Sequence, residues 1–161
     1  MATSGVTLRF VDDEETRRAV AALDVPPQDF TTPPDVVLAR VAANPLMRMV
    51  AIEVDGQVSG YFALETGPAV AEVSNGAADV FLRTLAIGRQ LRRRGLARAA
   101  FVALPAFLAH EYPAAKRVYL LVSEKNWPAH RLYLASGFIE TGFVKQGPWG
   151  CQRVLARRLD S

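Results

Sequence analysis

Apolar and polar residues alternate through VTLRFV (6–11), the period-two pattern of a half-buried strand. The period lengthens in DDEETRRAVAALD (12–24), where an acidic start runs into a helical stretch and Asp12 or Asp13 is placed to cap it. VPPQDFTTPP (25–34) predicts a proline-rich loop. PDVVLARVAANP (34–45) predicts a short helix with Pro34 in its first turn and Pro45 beyond its end. MRMVAIEVDGQVSGYFALET (47–66) reads as two strands about Asp55-Gly56, a hairpin signal. GPAVAEVSNGAA (67–78) predicts a loop with room for a fragment of strand, and DVFLRTLAI (79–87) predicts a strand.

A helix from about Arg94 to Tyr112 follows. Pro105 falls inside it, where the ring removes one hydrogen bond and meets the carbonyl of Phe101, predicting a bend. RVYLLVS (117–123) is a further strand. NWPAHRLYLASG (126–137) predicts a helix capped by Asn126, with Pro128 in its first turn and Gly137 just past its end. FIETGFVK and CQRVLARRL supply two final strands. The order is β-α-α-β-β-β-α-β-α-β-β. Its central strand, long helix and strand predict a right-handed parallel crossover, flanked by antiparallel hairpins. The expected fold is an α/β layered domain with a mixed sheet.

Composition narrows the class without naming a function. A chain of 161 residues suits one domain over 1–161 and can bury a core without staples. Half of it is hydrophobic and 22% is charged, an ordinary globular balance. A net charge of +3 and a pI near 9.3 are too mildly basic to demand nucleic acid. The single Cys151 has no internal disulfide partner, which predicts a reducing compartment. MATSGVTLRF lacks the basic and apolar regions of a signal peptide, and the longest apolar run, Ala99 to Ala109, is too short to span a membrane. The expected location is the cytoplasm.

Charge changes the picture most at IGRQLRRRGLARAAF (87–101). Arg89, Arg92, Arg93, Arg94 and Arg98 crowd the start of an apolar helix. A helix N-terminus already carries positive partial charge, and each exposed cation there costs about 0.3–1 kcal/mol. A loop entering a helix also presents unpaired N–H groups, a ready anion site. Gly95 permits a positive φ or close backbone approach, and Ala97 leaves room above the first turn. Arg92, Arg93, Arg94 and Arg98 supply forked donors suited to phosphate, and a bound polyphosphate would turn the repulsion into attraction. A solvated basic face accounts for the same residues. Neither G-x-x-x-x-G-K-[ST] nor G-x-G-x-x-G is present.

Arg92 to Ala97, R-R-R-G-L-A, resembles the R/Q-x-x-G-x-G/A signature of the GNAT family of N-acetyltransferases, and it follows LRTLAI, where that family has its central strand. Downstream, Asn126 to Phe138 resembles the family's second motif, N-x-x-A-x-x-L-Y-x-x-x-G-F. The resemblance implies a mostly antiparallel mixed sheet with a central parallel β-α-β crossover and helices on both faces. It implies acetyl-CoA as acyl donor and a primary amine of a small molecule or peptide as acceptor. Backbone groups of Leu85, Ala86 and Ile87 would pair with the pantetheine arm. The turn at Arg93, Arg94, Gly95, Ala97 and Arg98 would bind the pyrophosphate, with Arg92 beside it. Asn126 would contact the cofactor, and Tyr133 would protonate the leaving thiolate. Many relatives have Pro at the position of Arg89 and Gly at that of Arg93, so this turn is more basic and less flexible. Relatives often pair, so a homodimer is compatible with the resemblance.

Acetyl transfer needs a neutral amine, a polarised thioester carbonyl and a protonated leaving sulfur. Backbone N–H groups can polarise the carbonyl. Tyr133, four residues after Ala129 on one helix face, is a proton donor with an ordinary pKa of about 10. Without the motif it reads as a packed aromatic. On the central strand Phe81, Arg83, Leu85 and Ile87 are expected to share a face. Phe81 stands near where some relatives place a catalytic Glu, which leaves Glu53, Glu65, Glu72 and Glu124 as candidate bases. Arg83, a charge inside an apolar strand, needs a partner. Either it pairs with a sheet neighbour such as Glu65 or Glu53, or it lines the acceptor cleft and meets an anionic group of the substrate. His110 and His130 read as structural or solvent-facing, Cys151 as packed, and Trp127 and Trp149 as surface residues or walls of the acceptor site. No metal-ligand spacing occurs. Two other readings stand beside the enzyme: a non-catalytic acyl-CoA-binding regulatory domain, and a nucleic-acid-binding module using the arginines.

Overall fold

Asp13 starts the first helix: its Oδ1 accepts the backbone N–H of Thr16 at 2.7 Å, and that bond holds its carboxyl below the usual carboxylate range. The computed structural model describes residues 5–27, 30–74, 76–147 and 150–159. Trp149 lies outside them. The strands are β1 (Val6–Phe10), β2 (Met47–Val54), β3 (Gln57–Glu65), β4 (Val80–Ile87), β5 (Arg117–Ser123), β6 (Ile139–Gly147) and β7 (Gly150–Arg158). The helices are α1 (Glu14–Ala21), α2 (Pro34–Ala43), α3 (Pro68–Ala71), α4 (Leu96–Glu111) and α5 (Trp127–Ala135).

One seven-stranded sheet runs in the order β1-β2-β3-β4-β5-β7-β6. Every neighbouring pair is antiparallel except β4 with β5, which the α4 crossover makes parallel. The fold is the mixed, mostly antiparallel α/β sheet expected, with helices on both faces. On one face Phe101, Leu104 and Leu108 of α4 pack on Val50, Phe62 and Leu120 of the sheet, and α5 adds Ala129, Leu132 and Tyr133 at the margin. On the other, Val20 of α1 and Val37 of α2 cover Met49, Ala51 and Tyr61. Burial of each fully buried Val, Leu, Phe or Met side chain among them contributes roughly 1.5–3 kcal/mol.

Two boundaries depart from the expectation. The stretch 67–78 holds no strand among its described residues; Pro68, at the first helical position after Gly67, starts the single turn α3. That turn buries Val70, and Val73 follows it, against Phe81 and Tyr119. The long helix begins at Leu96 rather than near Arg94, because Arg93 (φ +65°) and Gly95 (φ +73°) are both left-handed. It runs through Pro105 as one element.

Candidate active site

β4 and β5 pair at only two positions, Val80 with Val118 and Phe81 with Tyr119. Beyond them the strands part. β4 stays paired with β3 on its other side, Tyr61 opposite Ala86 and Gly60 opposite Ile87. That approach is close enough that a Cβ on Gly60 would lie 2.6 Å from the Ala86 carbonyl oxygen. The β4 edge facing the gap, from Leu82 onward, has no partner strand.

A bulge then changes which side chains face the gap. Ala63 is opposite Arg83 and Tyr61 opposite Ala86, so Phe62 alone faces both Thr84 and Leu85. Thr84 takes the extra step in a left-handed conformation, φ +60°. One inserted residue inverts the alternation. Phe81, Arg83, Leu85 and Ile87 therefore do not share a face, contrary to expectation. Leu85 and Ile87 pack on the α4 side with Val80 and Leu82, while Phe81 packs on the α3 side. Arg83 stays with Phe81, its guanidinium carbon 4.8 Å from the ring centre.

The connection from β4 to α4 is tied at both ends. Gly88 N–H donates to Ser59, Arg89 N–H to Asp24, and the Arg92 Nε–H returns to the Ile87 carbonyl at 3.2 Å. Arg89 also pairs with Asp24 at 3.1 Å. Gly95 caps α4 without a side-chain bond, and no acidic residue occupies the first turn. The first helical bond runs from Ala99 N–H to Gly95, so the amides of Leu96, Ala97 and Arg98 precede the ladder and are left to a ligand or solvent. Nothing lies within 4 Å of a Cβ built on Gly95; its left-handed backbone, not crowding, calls for glycine. Among the described residues Arg93, Arg94 and Arg98 form no ion pair and no side-chain hydrogen bond. A turn with free amides and free cations holds an anion well.

α5 closes the other side. Asn126 caps it, its Oδ1 accepting from Ala129 N–H at 3.4 Å. Tyr133 lies edge-on to Phe101 at 5.7 Å, and its hydroxyl makes no hydrogen bond to a described residue. Burial pushes that hydroxyl up to about 12, so it holds its proton throughout the neutral range.

These parts enclose one cavity of about 480 Å³. Leu85, Ala86 and Ile87 line it from β4; Arg92, Arg93, Gly95, Ala97 and Arg98 from the turn; Asn126 and Tyr133 from α5. Of the residues expected at the donor site, Arg94 alone is not in its wall. Phe30, Thr31, Leu91, Leu96, Pro128 and Leu132 also line it and were not anticipated. Pro128 and Leu132 could have been found from their helical spacing with Ala129 and Tyr133. Phe30 and Thr31 come from the loop before α2 and carry no local signal.

Among the described residues no carboxylate or histidine lines this cavity. Glu53 pairs with Arg9 at 2.7 Å, Glu72 with Lys145 at 2.6 Å and Glu124 with Arg153 at 3.4 Å. Glu65 pairs with Arg83 at 2.8 Å, as one of the two readings of Arg83 expected, and both line a second cavity of about 530 Å³. The Arg83 Nε–H is not aligned on the carboxylate, so the contact is an ion pair rather than a hydrogen bond. His110 is exposed beside Glu111, and His130 Nε2 is buried 3.5 Å from Glu140 without an aligned bond. Burial raises the Cys151 thiol, with Glu124 adding to it, which keeps it from being a ready thiolate. No helix among the described residues is long and apolar enough to cross a membrane.

Comparison with known proteins gives one consistent answer. The chain is 31% identical over 127 residues to the Uncharacterized N-acetyltransferase YbbJ of Bacillus subtilis (strain 168), covering 78% of this chain and 79% of that one. Its fold matches AAC(6')-Ib in complex with paromomycin and acetyl-CoA at a TM-score of 0.74 and 20% identity, over 96% of this chain and 94% of that one. It matches the spermidine/spermine N-acetyltransferase SpeG of Vibrio cholerae at 0.68 and 16% identity, over 99% and 95% of the two chains. At these identities the two structures speak for the fold alone. The profile of the acetyltransferase (GNAT) family matches residues 12–138, most of the chain, and the protein belongs to that family.

Proposed function

We propose that residues 1–161 form a single N-acetyltransferase domain that moves an acetyl group from acetyl-CoA to a primary amine of a small molecule or peptide. One observation carries this reading: the first cavity joins an unpaired β4 edge, a cationic helix start with no side-chain cap and a protonated tyrosine. Acetyl-CoA would bring the thioester to be cleaved. The edge groups of Leu85, Ala86 and Ile87 suit the amide-bearing pantetheine arm, because an extended chain can add to an open strand edge. The amides of Leu96, Ala97 and Arg98, with Arg92, Arg93, Arg94 and Arg98, suit its pyrophosphate. Asn126 lines the same cavity, its Oδ1 already engaged as a helix cap.

Tyr133 holds the proton that the departing sulfur takes as the C–S bond breaks. Its hydroxyl recovers a proton from solvent water, which accepts the one lost by the amine nitrogen as the N–C bond forms. A phenol raised by burial remains a usable acid here, because the same burial raises the proton affinity of a thiolate. With no carboxylate among the described residues of the cavity wall, positioning and water do the work of a general base. The one free thiol, Cys151, suits a reducing cytoplasm.

The test is thiol release from acetyl-CoA over a panel of amines. Amine-dependent release supports the enzyme. Coenzyme A binding with no release from any amine would favour the non-catalytic acyl-CoA-binding reading.

A further inference from the structure

We infer that the second cavity takes an acceptor amine that also carries a carboxylate, and that Arg83 binds this carboxylate. This rests on the reading of the first cavity as the donor groove. Neighbouring residues of the β4 bulge line the two cavities: Thr84 lines the second and Leu85, the next residue, lines the first. The second cavity is therefore lined one residue along β4 from the edge assigned to the donor.

Its chemistry is cationic. Among the described residues Arg40, Glu65 and Arg83 are its charged lining residues, a net of +1 by that count. Glu65 is the more deeply placed partner, its side chain 14% exposed against 37% for Arg83. One Glu65 oxygen meets Arg83 at 2.8 Å and the other accepts from Asn44 Nδ2 at 3.3 Å, so both are engaged within the protein. Arg83 is held from two sides, by Glu65 and by the Phe81 ring. Its Nη atoms donate no hydrogen bond to a described residue. An oriented guanidinium with free forked donors matches a carboxylate. Arg40, exposed on α2 and without an ion pair among the described residues, adds a second cation.

Matched amines test this: amino acids and dipeptides beside their C-terminal amides, each assayed for acetyl-CoA-dependent thiol release. The amide lowers the basicity of a neighbouring amine and so frees more of the reactive neutral form. A preference for the free acid would therefore run against intrinsic reactivity. The expected kcat/KM is at least about tenfold higher for the acid. Arg83→Gln should erase that ratio through acceptor KM while leaving acetyl-CoA KM unchanged. Because Arg83→Gln leaves Glu65 without its cation, Arg83→Gln with Glu65→Gln is the companion variant, and Arg40→Gln should lower the ratio without affecting folding. Equal or better turnover of the amides, or a ratio that survives in the double variant, overturns the inference and leaves the donor groove standing. So does coenzyme A binding with no turnover of any member of the panel. Failure to bind coenzyme A overturns both.

Discussion

Arg92 turns back on the strand it follows, its Nε–H donating to the carbonyl oxygen of Ile87 at 3.2 Å. The bond fixes the start of the turn against the end of β4, so strand edge and helix start are presented as one surface. Binding of coenzyme A to that surface should stabilise the fold. At a hundredfold excess over Kd the gain is about 2.7 kcal/mol, or roughly 5–10 °C in a chain of this size. Gly95→Pro should abolish the shift, because proline cannot adopt the φ of +73° found there. Arg94→Glu should weaken it. Differential scanning fluorimetry with and without coenzyme A decides the matter, and an unchanged midpoint in the parent protein would remove the basis of the donor site.

Arg93 separates two contributions. Its left-handed backbone, φ +65°, costs an ordinary residue roughly 1–2 kcal/mol. Arg93→Gly removes that strain while enlarging the unfolded ensemble, so stability should stay level or rise by up to about 1 kcal/mol. Coenzyme A affinity should nevertheless fall, because a free cation is gone. Urea melts and calorimetric titration read the two effects independently. A variant that is both less stable and equally tight in binding would contradict this assignment.

Tyr133→Phe should lower kcat by about 10²–10⁴ with little change in acetyl-CoA KM. Its hydroxyl has no hydrogen bond to a described residue to lose, and the ring contacts with Phe101 and Phe138 remain. The sign of its alkaline effect follows from the raised pKa. The folded phenol titrates near 12 and the unfolded one near 10. Its contribution to stability is complete below pH 10 and is lost as pH rises toward 12. Tyr133→Phe should therefore gain on the parent in that window alone. Alkaline unfolding curves that stay parallel would argue against a buried Tyr133 hydroxyl.

Phe138, 1% exposed, meets Phe101 at a ring distance of 5.4 Å and Tyr133 at 6.2 Å. Phe138→Ala should cost about 3–5 kcal/mol by chemical denaturation. It should also lower turnover, since the ring stands behind Tyr133. A cost under about 1 kcal/mol would mean that the site collapses around the missing ring.

Local chemistry explains what was legible in the sequence. Asp55 (φ +50°) and Gly56 (φ +83°) turn the hairpin as their dipeptide predicts, and Asn126 caps α5 through its own side chain. The element order was readable for the same reason. The face assignment on β4 was not, because the bulge at Thr84 is set by pairing with β3, some twenty residues away in the chain. The start of α4 was misplaced because an arginine in a left-handed conformation leaves no mark on a hydrophobic pattern. In the first cavity the motif residues were legible, whereas Phe30 and Thr31 enter it only through the packing of a distant loop. Arg83 could be flagged as a buried cost, but its partner could not be chosen between Glu65 and Glu53 without the register.

The two rungs that join β4 to β5 have a mechanical consequence. Past them no backbone ladder sets how far the strands diverge, so the compliance of the gap belongs to side chains. The rings of Phe101, Tyr133 and Phe138, braced between α4, α5 and the turn into β6, act as the spacer. Groove width is thus encoded in aromatic volume behind the wall. It can be retuned by substitutions there that leave the open strand edge and the cationic turn intact.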